Sequence, residues 1–163
     1  MRNRQSRPYR RMLALFLGGV ICPLFAQAPI AIRDDPLFGT WVLDKDKSKF
    51  IGRPALREQI RIFEPHEQGV RAKVVTISED GTSTVTEYVA AYDGVEYPFT
   101  GAETADAVIL SRAGPYEAVT TFRHAGHIVG EARRVISPDG KQMTVTIRVR
   151  DNIDRVAVFR RAN

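Results

Sequence analysis

Met143-Thr144-Val145-Thr146-Ile147-Arg148-Val149-Arg150 alternates apolar and polar side chains without a break. Side chains on a strand point to opposite faces in turn, so this pattern predicts a strand with one face in a core and one toward water. Ser137-Pro138-Asp139-Gly140 precedes it and reads as a tight turn, in which proline pre-sets φ and glycine accepts positive φ. Asp151-Asn152 follows it and turns the chain into a further strand, Ile153–Arg160.

The same grammar extends outward in both directions. Glu79-Asp80-Gly81-Thr82 separates Val70–Ser78 from Ser83–Tyr92, and Asp93-Gly94 leads into Val95–Phe99. Ala113-Gly114-Pro115 divides Ala107–Arg112 from Tyr116–Arg123, and His124-Ala125-Gly126-His127 turns into Ile128–Ile136. With Gly39–Leu43 and Arg57–Phe63 the count reaches about ten strands, nearly all joined by hairpin-length connections. No helical period of useful length is present. Ten consecutive antiparallel strands cannot stay flat, because twist and exposed edges favour closure. The fold class is therefore all-β, an up-and-down antiparallel barrel of about 8–10 strands. A two-sheet sandwich needs long crossovers, and only one long connection is expected, Asp44–Leu56. Ile77-Ser78-x-Asp80-Gly81 recurs as Ile136-Ser137-x-Asp139-Gly140, which reads as shared hairpin chemistry rather than duplication.

The charge distribution sets the N-terminal segment apart. The formal charge of +5 comes from 24 basic and 19 acidic residues. Arg2, Arg4, Arg7, Arg10 and Arg11 precede the first acidic residue, Asp34. Residues 29–163 therefore carry 19 of each sign and no net charge. This removes the nucleic-acid reading that the basic total suggests. The five arginines, the fourteen-residue apolar run Met12–Phe25 and Ala26-Gln27-Ala28 stand in the order of a secretory signal peptide. A membrane span needs roughly 20 apolar residues, and this run also contains Gly18, Gly19 and Pro23. The expectation is a cleavable signal peptide over residues 1–28 and one barrel domain over 29–163, periplasmic or extracellular, with no stable membrane anchor after cleavage. Cleavage after Ala26 stands beside cleavage after Ala28, which would leave Pro29 first. Arg10-Arg11-Met12-Leu13 partly matches a twin-arginine motif, but ordinary export of the unfolded chain is favoured. Cys22 lacks the small preceding residue that lipidation needs, and its removal leaves no thiol chemistry.

Phe38-Gly39-Thr40-Trp41-Val42-Leu43-Asp44 resembles the Gly-x-Trp first strand of the calycins, the lipocalins and fatty-acid-binding proteins. Gly39-Thr40-Trp41-x-Leu43-Asp44-x-x-x-Ser48-Lys49-Phe50 is similar to a group of exported, uncharacterised lipocalin-like bacterial proteins. Tyr92-Asp93-Gly94-x-x-Tyr97-Pro98-x-Thr100-Gly101 and Arg133-Arg134-Val135-Ile136-Ser137-x-Asp139-Gly140-Lys141 extend the likeness. The resemblance implies a barrel and no established activity. It also implies that Trp41 closes one end beside an arginine of the last strand, Arg155 or Arg160. Two features of the intracellular fatty-acid-binding proteins are missing. Lys45–Leu56 is too short for a two-helix lid, and Arg155-Val156-Ala157-Val158-Phe159 lacks the tyrosine of their Arg-x-Tyr carboxylate site.

Few residues announce chemistry. His124-x-x-His127 brackets a hairpin tip and lacks a third ligand, and His66 lies between acidic loop residues, so no metal is expected. There is no nucleophile elbow, P-loop or dinucleotide fingerprint, and no cofactor or catalytic constellation is expected. The informative anomalies are charges in phase with apolar positions. Arg134 shares a face with Ile128, Gly130, Ala132 and Ile136, and Glu87 shares one with Val85, Val89 and Ala91. If those faces point inward, the two charges pair with each other, or Arg134 meets an anionic ligand. The opposite face, Val129-Glu131-Arg133-Val135, is equally mixed, so sequence leaves the phase open. Tyr88, Tyr92, Tyr97, Tyr116 and Phe122 are the remaining candidates for lining a cavity. The first functional expectation is a non-enzymatic exported barrel that binds a small apolar or amphipathic molecule. The alternative is a protein-interaction module, such as an inhibitor of an exported hydrolase. It would act through the Asp44–Leu56 loop with Lys45, Lys47, Lys49 and Arg53.

Overall fold

The computed structural model describes residues 34–52, 54–150 and 152–162. The expected signal peptide, Cys22 and Arg53 lie outside the described residues. Ten antiparallel strands follow in chain order: β1 (Gly39–Phe50), β2 (Leu56–His66), β3 (Gly69–Ser78), β4 (Ser83–Ala90) and β5 (Glu96–Thr100), then β6 (Ala107–Gly114), β7 (Glu117–His124), β8 (His127–Ile136), β9 (Gln142–Val149) and β10 (Asn152–Arg161). Each strand pairs with the next, and β10 pairs with β1, so the barrel is closed and up-and-down. Among the described residues there is no α-helix.

β9 behaves as its alternation requires. Met143 and Val145 are buried and face the interior, and Thr144, paired with Val135, faces outward. The two Ser-x-Asp-Gly turns use the same bonding: Gly81 N donates to Ser78 O at 3.0 Å, and Gly140 N donates to Ser137 O at 2.8 Å. One lies between β3 and β4 and the other between β8 and β9, at opposite ends of the barrel.

The long connection expected over Asp44–Leu56 is a correction. β1 runs on to Phe50, and its pairing with β10 shifts register between Asp44 and Lys49. Ser48 holds this bulge. Its hydroxyl donates to Asp44 O at 2.6 Å and accepts from Val158 N at 2.9 Å. Lys45 pairs with Glu79 at 2.9 Å and Lys47 with Asp44 at 3.4 Å, so the basic residues assigned to a loop sit on a strand. The Asp44-x-x-x-Ser48 spacing thus encodes a bulge, which bends a strand and changes its twist.

The other end of the barrel is plugged by the segment leading into β1. Leu37 is fully buried beside Trp41, whose Nε1 donates to Leu37 O at 2.8 Å. The cation over the Trp41 ring is Arg161, at 4.2 Å, rather than Arg155 or Arg160. Arg160 is exposed, and Arg155 lies toward the opposite end beside Asp154. Arg161 also donates to Pro36 O and Gly140 O, both at 2.7 Å, and to Phe38 O. Gly39, at φ 121, makes this possible, because a Cβ there would lie 2.6 Å from Arg161 Nη1. Asp35 completes the plug with an ion pair to Arg112 and a 3.2 Å hydrogen bond from the Tyr92 hydroxyl. Arg112 also stacks over Tyr92 at 4.3 Å. Burial and the neighbouring Asp35 carboxylate push the Tyr92 phenol up, so it stays a neutral donor.

Candidate functional site

The interior above the plug is hollow. A cavity of about 630 Å³ runs along the barrel. Pro54 and Ala55 of the β1–β2 connection and Glu79 and Asp80 of the β3–β4 turn belong to its lining, so it opens at that end. Strand direction gives the depth of the other residues. Phe122 and Ile147 lie late in β7 and β9, toward the mouth, and Phe99, the cross-strand partner of Tyr88, lies between them and the deep end. Arg61 and Phe63 on β2, Tyr88 on β4 and Arg134 on β8 lie farthest from it. Phe99 packs against Phe122 at 5.5 Å and Tyr88 at 6.3 Å between ring centroids, forming one apolar wall.

The deep end is polar and positive. Arg134 is 2% exposed, stacks over Phe63 at 5.5 Å, and donates through Nη2 to Thr120 Oγ1. Arg61 is 7% exposed, stacks over Phe159 at 4.9 Å, and donates through Nε to Gln59 Oε1 at 3.0 Å. Gln59 passes the chain on to Thr76 Oγ1 at 2.7 Å. Among the described residues no carboxylate pairs with Arg61 or Arg134. Arg134 Nε and the Tyr88 hydroxyl are buried without a hydrogen-bond partner. Burial, then the like charges of Arg134 and Arg155, lowers the Arg61 pKa from 12.5 to about 9. That is still well above neutral, so the cation persists.

Of the residues singled out from sequence, Arg134, Tyr88 and Phe122 line this cavity. Glu87 does not. It faces outward and pairs with Lys73 at 2.9 Å, because the inward phase of β4 is set by Tyr88 and Ala90. Tyr92 belongs to the plug. Tyr97 bonds Asp93 at 2.7 Å and borders a shallow groove over the β4–β5 seam. Tyr116 is 45% exposed, outside the cavity. His124 meets Asp106 at 3.5 Å on the surface, and His66 Nδ1 accepts from Gln68 N at 3.2 Å within its own turn. Among the described residues no cluster of three or more metal-ligating side chains occurs.

Sequence reading missed Gln59 and Arg61. The apolar residues Ile60 and Ile62 beside them suggest an inward even phase, yet Gln59, Arg61 and Phe63 are the buried set. A register shift between Leu56 and Glu58 resets the strand, so Leu56 is also inside. The inversion itself is the signal: β2 turns polar residues inward while leaving isoleucines half-exposed. No family model matches the chain, and no curated protein matches it.

Proposed function

We propose that the protein is an exported, non-enzymatic, lipocalin-like barrel that binds a small amphipathic molecule. The observation that carries this reading is the cavity of about 630 Å³, closed by a plug at one end and open at the other. Its volume falls in the range of roughly 300–1,000 Å³ usual for small-molecule sites. Its walls combine aromatic and aliphatic surface with a few convergent polar groups, which is the composition that supplies both affinity and orientation. The Gly39-Thr40-Trp41 first strand and the arginine stacked on Trp41 support the lipocalin-like reading. The arginine-rich and apolar order of residues 1–28 supports export.

Native mass spectrometry of protein purified after expression of the full sequence tests this. The expected spectrum carries a co-purifying small molecule, or gains one from a panel of single-chain lipids. A spectrum that stays ligand-free against the whole panel overturns the reading.

A further inference from the structure

We propose that Arg61, Arg134 and Tyr88 form a clamp for an anionic head group, carboxylate or phosphate, which enters first and leaves its apolar tail toward the mouth. This rests on the cavity being a binding site and names the class of its ligand.

The argument starts from what is left unpaired. Two guanidinium groups from opposite walls sit at the deep end of one cavity, each almost wholly buried. Burying a charge without a counter-charge is costly, and arginine does not escape by losing its proton near neutral pH. The plug arginines show the ordinary solutions in the same barrel: Arg112 has Asp35, and Arg161 has three backbone carbonyls. Arg61 and Arg134 have neither. Each reaches one neutral side-chain oxygen and one aromatic face. Arg134 Nε adds a buried donor without an acceptor, and the Tyr88 hydroxyl is buried without any partner. Arg61, Arg134 and Tyr88 line the same cavity, and an oxyanion bound among them would supply acceptors that these donors lack.

The polarity along the cavity sets direction. Phe99, Phe122 and Ile147 form an apolar wall above Arg61 and Arg134, and Arg155, Glu79 and Asp80 line the cavity toward the mouth. An amphiphile that entered tail-first would place methylenes against Arg61 and Arg134 and leave both uncompensated. A ligand with its head down satisfies the donors and packs its chain on the aromatic wall.

The test is calorimetric titration of the delipidated protein with dodecanoate, dodecyl phosphate, dodecanol and dodecyl trimethylammonium. Both anions are expected to bind about tenfold to a hundredfold tighter than the alcohol, and the cation weakest. The ratio between the two anions identifies the head. Arg61→Met and Arg134→Met are each expected to cut the anion-to-alcohol ratio at least fivefold, while Arg134→Lys keeps part of it. Far-ultraviolet circular dichroism confirms that each variant is folded, and the wild-type ratio stands even where one variant is not. If the alcohol binds as tightly as the anions, or if the ratio survives both methionine substitutions, the clamp is overturned and the cavity reading stands. If none of the four binds, the cavity reading falls and the clamp with it.

Discussion

Arg61 and Arg134 are buried positive charges, and taking them out of water costs the fold stability. Burial and neighbouring cations push Arg61 down to about 9, which leaves it charged at neutral pH. Replacing either arginine by methionine, which is shorter but unbranched, uncharged and buries well, is expected to stabilise the ligand-free protein by about 1–3 kcal/mol. Urea titration at pH 7 measures this. For Arg61 the sign with pH follows from its lowered value. Below about pH 9 the folded and unfolded chains are both protonated here, and the full cost is present. Above it the folded chain releases the proton first, so wild type gains about 1 kcal/mol per pH unit on Arg61→Met. A wild-type-to-variant difference that stays flat between pH 8 and pH 10.5 contradicts this. Arg134 was legible as an inward candidate because Ala132 and Ile136 share its face. Its partner was not, because pairing across a barrel depends on which strands stand opposite, and Glu87 turned out to face water.

Strands differ in how firmly they are stitched into the barrel. β2 and β3 share ten residue pairs, whereas β4 and β5 share two, Glu87 with Thr100 and Tyr88 with Phe99. β5 also contains Pro98, which has no N–H to donate. Local opening follows the density of buried contacts and protected hydrogen bonds. Amides of β5 are therefore expected to exchange with deuterium before those of β2, β3, β9 and β10, and to gain protection when a ligand packs on Phe99. Hydrogen-exchange mass spectrometry resolved to single strands checks both. Uniform protection around the barrel would refute the seam. The elements also show what pattern reading captures. β9 and the turns flanking it follow directly from alternation and from Pro-Asp-Gly chemistry. Pattern alone ends β1 too early, because residues Lys45–Phe50 look like a charged loop, whereas the Ser48 hydroxyl ties them to Val158. The buried polar face of β2 escapes pattern reading, because Gln59 and Arg61 rather than Ile60 and Ile62 turn inward after the register shift between Leu56 and Glu58.

At the scale of the whole molecule, the two ends of the barrel are built differently, one plugged and one carrying the cavity mouth. The plug end is held by Trp41, Arg161, Asp35 and Arg112, all away from the cavity. Arg161→Ala removes the stack on Trp41 and bonds to three carbonyls, and is expected to cost about 2–4 kcal/mol. Asp35→Asn strands a partly exposed Arg112 and is expected to cost about 2 kcal/mol. Both variants are expected to keep the ligand affinity and head-group preference of wild type within twofold, measured by denaturant titration alongside calorimetry. An equal loss of affinity in the plug and cavity variants would show that the ends are not independent. The overall charge balance plays no part in this division, since residues 29–163 are neutral and electrostatics acts only between neighbours. The number of strands, most of their boundaries and the closed up-and-down order followed from sequence alone. They rest on local physics: side-chain alternation, turn chemistry and the need of a many-stranded meander to hide its edges. The hollow above the plug, the identity of the Trp41 partner and the meeting of Arg61 with Arg134 were decided only by tertiary structure. These depend on strand phase after bulges and on which faces meet across the barrel, and neither is encoded within any one strand.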